Sequence, residues 1–216
     1  MASPSGAGAR WSSRFIRNAL LWLLPVAAVW LLLTPFYNVF LSVSGENLLH
    51  LVESPNVTDL LRADAHMASV QRLDFPPGRA LVHSFRVTDL HFHLVLLGAL
   101  LLAVPEVGWR RRLANLGYAV LATVFFDILL VFFQVKFAYA TQLGSWSLSH
   151  YGPFARNAYG LGKHVLDLPV KLAWPFILWA GFYLKDFREA LGLTYRTSQN
   201  PPTATARTDK APKAKR

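Results

Sequence analysis

Residues 113–135 read LANLGYAVLATVFFDILLVFFQV, a run of 23 residues whose only charged side chain is Asp127. At about 1.5 Å per residue, a helix of this length crosses the ~30 Å hydrocarbon core of a bilayer. The run therefore predicts a transmembrane helix at 113–136. Its Asp127 needs a polar partner or a function, because an uncompensated acid in a membrane helix is costly.

Three further apolar segments resemble this one in composition. They predict transmembrane helices at 19–41, 90–108 and 165–184. The segment at 90–108 is long enough only if its ends lie at the interfaces, and Pro169 and Pro175 interrupt the last one. Of the 216 residues, 53% are hydrophobic and 16% are charged, against roughly 25% charged in average soluble domains. We therefore expect a mainly α membrane protein with four transmembrane helices.

Positive charge is concentrated next to these segments. The net charge of +10 comes from 22 Lys and Arg against 12 Asp and Glu. We assign three basic segments to the cytoplasm because such segments favour that side: the N-terminal tail 1–18, the turn 109–112 with its three arginines, and the tail 185–216. Both termini are then cytoplasmic, and 42–89 and 137–164 are extracytoplasmic. The tail from about 196 is predicted to be disordered, since it has little to bury.

These features predict a multi-pass protein of a bacterial inner membrane. The first apolar segment is longer than the roughly 7–15 residues of a signal peptide's hydrophobic region, so we expect it to be retained as an anchor. The expected partner is the lipid bilayer and not nucleic acid, because the basic residues follow the topology of the spans. The absence of cysteine from the sequence excludes disulfides, thiolate metal sites and a cysteine nucleophile.

The outer segment 42–89 is too long for a simple connection and is expected to be structured. Its first part, 45–52, predicts a short continuation of the preceding helix. Residues 67–73 and the alternating residues 80–88 flank Pro76-Pro77-Gly78, which indicates a β-hairpin. Two strands alone are marginally stable, so the hairpin needs the spans, a third strand near Val57, or a partner.

Asp127 is the intramembrane candidate for a catalytic residue, although no catalytic role can be assigned. As a functional group it would serve as a proton relay, a substrate contact or a partner-binding carboxylate. As a structural group it would be protonated or hydrogen-bonded and face another span, towards polar groups like Asn115, Thr123 or the Lys171 of the fourth span. Asp167 and Lys171 lie four residues apart and are expected to pair. Lys136 is placed where its side chain can snorkel to the outer surface.

The seven histidines all fall outside the membrane or at its outer face in this topology. His91, His93, His150 and His164 are candidate cofactor-binding residues if the outer segments fold back on each other. Their spacing matches no known ligand pattern, so neither a metal nor a cofactor is assigned. Arg156 lies in a polar, aromatic segment and is either a receptor for a carboxylate or phosphate, or an ordinary exposed arginine.

The order of the motifs resembles a known family. The matching features are RNALLWLLP at 17–25, LGALLLAVP at 97–105, WRRRL at 109–113, and the closing Pro169, Pro175 and Trp179. With a strand-rich outer segment after the first span, they cover about 15–185 and resemble the exosortase-associated small bacterial integral membrane proteins of the exosortase H-associated type. The chain departs from that pattern at Asp127 and at His91-Phe92-His93.

The resemblance implies a role beside a sorting protease and supplies no catalytic residues. We therefore expect a non-catalytic inner-membrane accessory protein of an exosortase-type protein-sorting or cell-envelope system, with an exosortase-like protease as its membrane partner. The alternative is a membrane enzyme, or a redox, metal or haem-binding protein, that uses Asp127 and the outer-face histidines.

Overall fold

The structure is a computed structural model that describes residues 5–62 and 66–190. Its elements are helix α1 (Ser5–Val52), strands β1 (Thr58–Arg62), β2 (Met67–Arg72) and β3 (Leu81–Arg86), and helices α2 (Thr88–His91), α3 (His93–Ala103), α4 (Trp109–Thr141), α5 (Ser145–His150), α6 (Pro153–Val165) and α7 (Lys171–Ala190). The protein is mainly helical, as predicted. The tail predicted to be disordered from about 196 lies outside the described residues.

Among the described residues, three helical segments are long and apolar enough to cross a membrane: Arg10–Val52, Trp109–Thr141 and Pro153–Ala190. Large apolar side chains on α1 are exposed, including Leu24 at 77% and Leu32 at 76%. Such a surface suggests a lipid environment. The composition and length of these helices support the prediction of a membrane protein.

The fourth apolar segment forms a shorter helix, Thr88–Ala103, than the predicted span 90–108. Val104 is extended, with ψ of 115°, and Pro105 follows it, because the residue before a proline is disfavoured in the helical region. Most of α3 is buried inside the bundle, where it packs mainly on α1 and α7. This segment is therefore a central packing element of the fold.

Two connections differ from the predicted boundaries. The arginines predicted to form the turn 109–112 lie in the first turn of α4, and the connection is at 104–108 instead. The predicted outer loop 137–164 is largely helical, because α4 continues to Thr141 and α5 and α6 follow. A π-helical turn, Leu166–Val170, then joins α6 to α7 and accommodates Pro169, which has no backbone N–H.

The arginines at the start of α4 also have specific partners. Arg112 donates from Nε to the Val107 carbonyl and from Nη1 to the Leu102 carbonyl, both at 2.9 Å, and so closes the connection between α3 and α4. Arg111 makes two hydrogen bonds of 2.9 Å to the Asp186 carboxylate on α7. These residues therefore hold three helices together at this end of the bundle.

The opposite end carries a three-stranded antiparallel sheet in the order β1-β2-β3. Strands β2 and β3 are the predicted hairpin, and β1 is the predicted third strand near Val57. Leu60, Val70 and Phe85 are buried in one apolar cluster with residues of α1 and α4. A Cβ atom on Gly45 would overlap Val131, so a glycine is required where α1 approaches α4 beneath the sheet.

Candidate functional site

A group of polar side chains lies buried between the helices where α1, α3 and α4 meet. We call Tyr37, Asn38, His91, His93 and Asp127 the central cluster. Asp127 has no exposed surface, and the Tyr37 hydroxyl on α1 donates a hydrogen bond of 2.8 Å to its Oδ2. The hydrogen-bond partner of Asp127 is thus Tyr37, which lies on another helix. Neither Thr123 nor Lys171 is bonded to this carboxylate.

His93 approaches the other oxygen of the same carboxylate. Its Nε2 is 3.5 Å from Asp127 Oδ1, and the side chain of His93 is 1% exposed. Neither of these two atoms, nor His93 Nδ1, has a hydrogen-bond partner within the described residues. The Phe126 ring packs edge-on against the imidazole, with 5.9 Å between centroids. The cluster therefore contains a buried imidazole nitrogen and a carboxylate oxygen that lie near each other without a hydrogen bond.

His91 is the second buried imidazole of the cluster. Its Nε2 lies 2.6 Å from Asn38 Oδ1, and its ring is held edge-on between Trp30 and Tyr37, with centroid distances of 5.3 and 4.9 Å. Tyr37 consequently touches both His91 and Asp127. Of the four predicted histidines, His93 therefore lies beside Asp127, and His91 is linked to Asp127 through Tyr37.

Lys171 and Thr123 make other contacts. The Lys171 ammonium donates to Asp167 Oδ1 at 2.6 Å and to the Asp89 carbonyl at 3.1 Å. The predicted Asp167–Lys171 pair is thus confirmed. Thr123 accepts a hydrogen bond of 3.0 Å from the Trp174 indole. These bonds fix α7 against α2 and α4 beside the central cluster.

A second buried polar group lies at the end of the bundle that carries the sheet. We call Glu53, Thr58, Arg72, Lys136 and Tyr139 the sheet-end cluster. Lys136 Nζ is 2.8 Å from Glu53 Oε1, and these side chains are only 7% and 8% exposed. Thr58 Oγ1 donates to Glu53 Oε2 at 2.6 Å and lies 2.8 Å from the Tyr139 hydroxyl. The prediction that Lys136 snorkels to the surface is wrong, because Glu53 provides a buried partner.

Arg72 completes the sheet-end cluster. Its guanidinium lies over the rings of Trp146 and Tyr139, at 4.3 and 4.8 Å from their centroids. It also makes two hydrogen bonds, of 3.0 and 2.7 Å, to the carboxylate of Asp74, and these bonds lower the pKa of Asp74. A cavity of about 380 Å³ opens beside these groups, and burial at its wall raises the pKa of Tyr151 to about 12.

The other two predicted histidines lie elsewhere. His150 stacks on Trp146, with 4.2 Å between centroids, and His164 is exposed and contacts the Phe137 ring. The structure therefore does not bring all four imidazoles together. In the described part of the chain, no group of three or more His, Asp or Glu side chains is arranged to hold a metal ion.

Sequence reasoning missed most of the residues that surround Asp127 and Lys136. One signal was available in α1, where Thr34, Asn38 and Ser42 recur every four residues and therefore share one face of the helix. All three are buried, at 4%, 2% and 4% exposure. A polar stripe in an apolar helix marks the face that packs against other helices.

The central cluster contains groups that can pass a proton, but it is closed. His91, His93 and Asp127 are buried, at 0%, 2% and 0% exposure. A comparison with protein-family models, with curated proteins and with solved structures finds no match to this chain. The geometry and the sequence therefore carry the functional argument.

Proposed function

We propose that the protein is a non-catalytic accessory protein of a bacterial inner membrane, which acts beside an exosortase-like protease in a protein-sorting or envelope system. The helices cross the membrane four times, with Thr88–Ala103 as the short second crossing and both termini in the cytoplasm. The distribution of arginines supports this orientation, because it puts Arg110, Arg111 and Arg112 on the cytoplasmic side. The sheet then faces outward.

The observation that carries this proposal is the unequal protection of the two sheet edges. Strand β1 lies against α1, and Glu46 of that helix accepts a hydrogen bond of 3.1 Å from the Leu60 amide. Strand β3 pairs only with β2 within the described chain, and its first residue, Leu81, is 58% exposed. An edge strand of this kind can pair with an extended segment of another protein.

The sheet-end cluster supports a docking role because it fixes the sheet to the helices. The bonds from Thr58 to Glu53 and Tyr139 hold β1, and the stacking of Arg72 on Tyr139 and Trp146 holds β2. A partner that adds a strand to β3 therefore binds a preorganised edge, so the sheet loses little conformational freedom on binding. The partner of this edge is an extended segment of the protease or of its substrates.

Site-specific photo-crosslinking in native membranes tests the proposal. A photoreactive amino acid at Leu81 is expected to capture a sorting protease or its substrates, identified by mass spectrometry. The same amino acid at exposed Gln142, which follows α4 near this end, serves as the matched control and is expected to capture neither. Capture at neither position, or equally at both, contradicts docking through β3.

A second candidate is a membrane enzyme or redox protein that moves protons through the central cluster. The 3.5 Å approach of His93 to Asp127 favours it, since a small displacement would close a hydrogen bond. Asp127→Asn distinguishes the two functions. For an accessory protein, the variant is expected to retain crosslinking at position 81. For a proton relay, the variant is expected to remain abundant in the membrane but to lose the protein's own activity.

A further inference from the structure

A separate cavity of about 830 Å³ lies between the end of α4 and helix α6. Its walls combine apolar and polar side chains, among them Phe137, Thr141, Leu148, Arg156, Leu161 and His164. It is distinct from the central cluster and from the sheet-end cavity beside Arg72. Neither the accessory role nor the proton relay uses it.

The ionisable side chains that line this cavity are all basic. Arg156 and His164 are the ionisable side chains in its lining, and the lining contains no carboxylate. Arg156 Nε is buried without a hydrogen-bond partner among the residues described, and the guanidinium makes no ion pair there. A buried donor on a charged group is costly without an acceptor, so an acceptor from outside the described residues, such as a ligand oxygen, would stabilise this one.

The carboxylate of Asp167, three residues after His164, is already engaged. Asp167 pairs with Lys171 at 2.6 Å through Oδ1, and Lys163 lies 3.9 Å from its Oδ2. Lys163 also sits over the Phe137 ring that lines the cavity, 5.3 Å from its centroid. The neighbourhood of Arg156 therefore adds positive charge and offers no free acid.

Helix α6 presents a second, apolar face. Phe154 is 86% exposed and Leu161 is 67% exposed, and no residue of α6 is buried. Arg156 lies on the side of the helix opposite Phe154, whereas His164 lies between these two sides, and Leu161 and His164 line the cavity together with Arg156. An amphipathic helix of this kind is typical of the level of the lipid headgroups, and α6 begins beside the last turns of α4, where Gly160 lies next to Phe137.

We propose that this cavity binds the phosphate group of an anionic phospholipid, with Arg156 as its principal ligand. The guanidinium fork matches two phosphate oxygens, His164 flanks it, and an acyl chain follows Leu148 and Leu161 toward the exposed Phe154. Anionic headgroups are attracted to such cationic groups at the membrane surface. The proposed lipid site depends only on the depth of α6 in the bilayer. It therefore requires neither a particular orientation of the protein nor the function proposed above.

The test uses the full-length protein, purified in mild detergent and incubated with micelles that contain phosphatidylglycerol or phosphatidylcholine with identical acyl chains. Native mass spectrometry then counts the lipid molecules that remain bound. The wild type is expected to retain phosphatidylglycerol preferentially. Arg156→Gln is expected to weaken that retention about tenfold. Arg86→Gln, which removes an exposed arginine at the end of β3, is the matched control and is expected to change nothing.

Three results overturn the proposal: equal retention of both lipids by the wild type, equal retention by Arg156→Gln and the wild type, or an equal loss in Arg86→Gln. Displacement of the lipid by millimolar inorganic phosphate identifies a soluble phosphate as the ligand and also overturns the lipid assignment. If Arg156→Gln does not fold, the lipid preference of the wild type and the exposed-site variant His164→Gln, expected to weaken retention, decide the question.

Discussion

Each of the two buried polar clusters contains a charged residue of α4, and these two residues differ strongly in their hydrogen bonds. Asp127 and Lys136 are nine residues apart on α4, roughly 14 Å along its axis. In the sheet-end cluster Lys136 pairs with Glu53, whose second oxygen accepts a bond from Thr58. In the central cluster Asp127 receives one hydrogen bond, while its Oδ1 and the nearby His93 Nε2 have no hydrogen-bond partner in the part of the chain that is described.

This difference separates a cluster that holds the fold together from one that is able to rearrange. A buried charge pair whose remaining acceptors are filled resists any change, since breaking it leaves an uncompensated charge. A carboxylate and an imidazole 3.5 Å apart gain a hydrogen bond when they move closer. The sheet-end cluster thus fixes the sheet to the helices, and the central cluster is the adjustable part of the helix bundle.

The largest effect is expected from the fixed cluster. Lys136→Met leaves the Glu53 carboxylate buried without its cation, so the free energy of unfolding should fall by about 3–5 kcal/mol. Denaturant unfolding in detergent micelles measures it. The double variant Glu53→Leu/Lys136→Met removes both charges and should recover most of the loss. A double variant as unstable as the single one contradicts this assignment.

Tyr37→Phe tests the adjustable cluster and should have a smaller effect. It removes the hydroxyl that donates to Asp127, at a cost of about 1–2 kcal/mol in the free energy of unfolding. Tyr118→Phe changes an exposed tyrosine of α4, 66% accessible, and is the matched control. If both variants unfold alike in the same denaturant titration, the Tyr37–Asp127 bond does not contribute to stability.

Arg72→Lys probes the rim of the fixed cluster. Lysine keeps the charge but loses the two-pronged contact with Asp74 and the flat stacking on Trp146, so a loss of about 1 kcal/mol is expected. Thermal unfolding compared with Arg79→Lys, an exposed site in the turn before β3, measures the difference. Equal melting temperatures for the two variants would show that the fork and the stacking are dispensable.

The smallest effect concerns His83, whose Nε2 lies 3.3 Å from Gln134 on α4, between the two clusters. Burial, and then the charge of Lys163, lower the pKa of His83 below 6.5. The unfolded chain therefore binds this proton more readily, and stability should fall as pH decreases from about 7.5 to about 5.5. His83→Gln should make the measured dependence of unfolding on pH shallower, and Lys163→Gln should do so less strongly. An unchanged dependence in His83→Gln contradicts the expectation.

Local patterns predicted the parts of the fold that depend on near neighbours in sequence. The alternation around Pro76-Pro77-Gly78 located the hairpin, and the four-residue spacing of Asp167 and Lys171 predicted their pair. The amphipathic helix α6 was missed because its apolar residues are interrupted by polar ones and it lies in a segment assigned to a loop. In that segment the spacing of apolar residues with the period of an α-helix indicates the helix, whereas the mean hydropathy does not.

The pairing of distant helices could not be predicted in the same way. Tyr37 and Asp127 are 90 residues apart, and Lys136 and Glu53 are 83 apart. Nothing in either local sequence specifies which helix its partner occupies. The stripe of Thr34, Asn38 and Ser42 indicates only which face of α1 points inward. The partner is set by how the whole bundle packs.

The position of the sheet within the chain has a consequence for biogenesis. All three strands lie before α4 in sequence, yet the apolar face of the sheet packs against Val131 and Tyr139 of that helix. During synthesis the strands therefore emerge before α4, and the cluster that buries Val70 and Phe85 has only its α1 side until α4 has been made. A nascent chain that stops near residue 108 therefore exposes the apolar face of the sheet to chaperones and proteases. The packing of α4 against this face completes the fold at this end of the bundle.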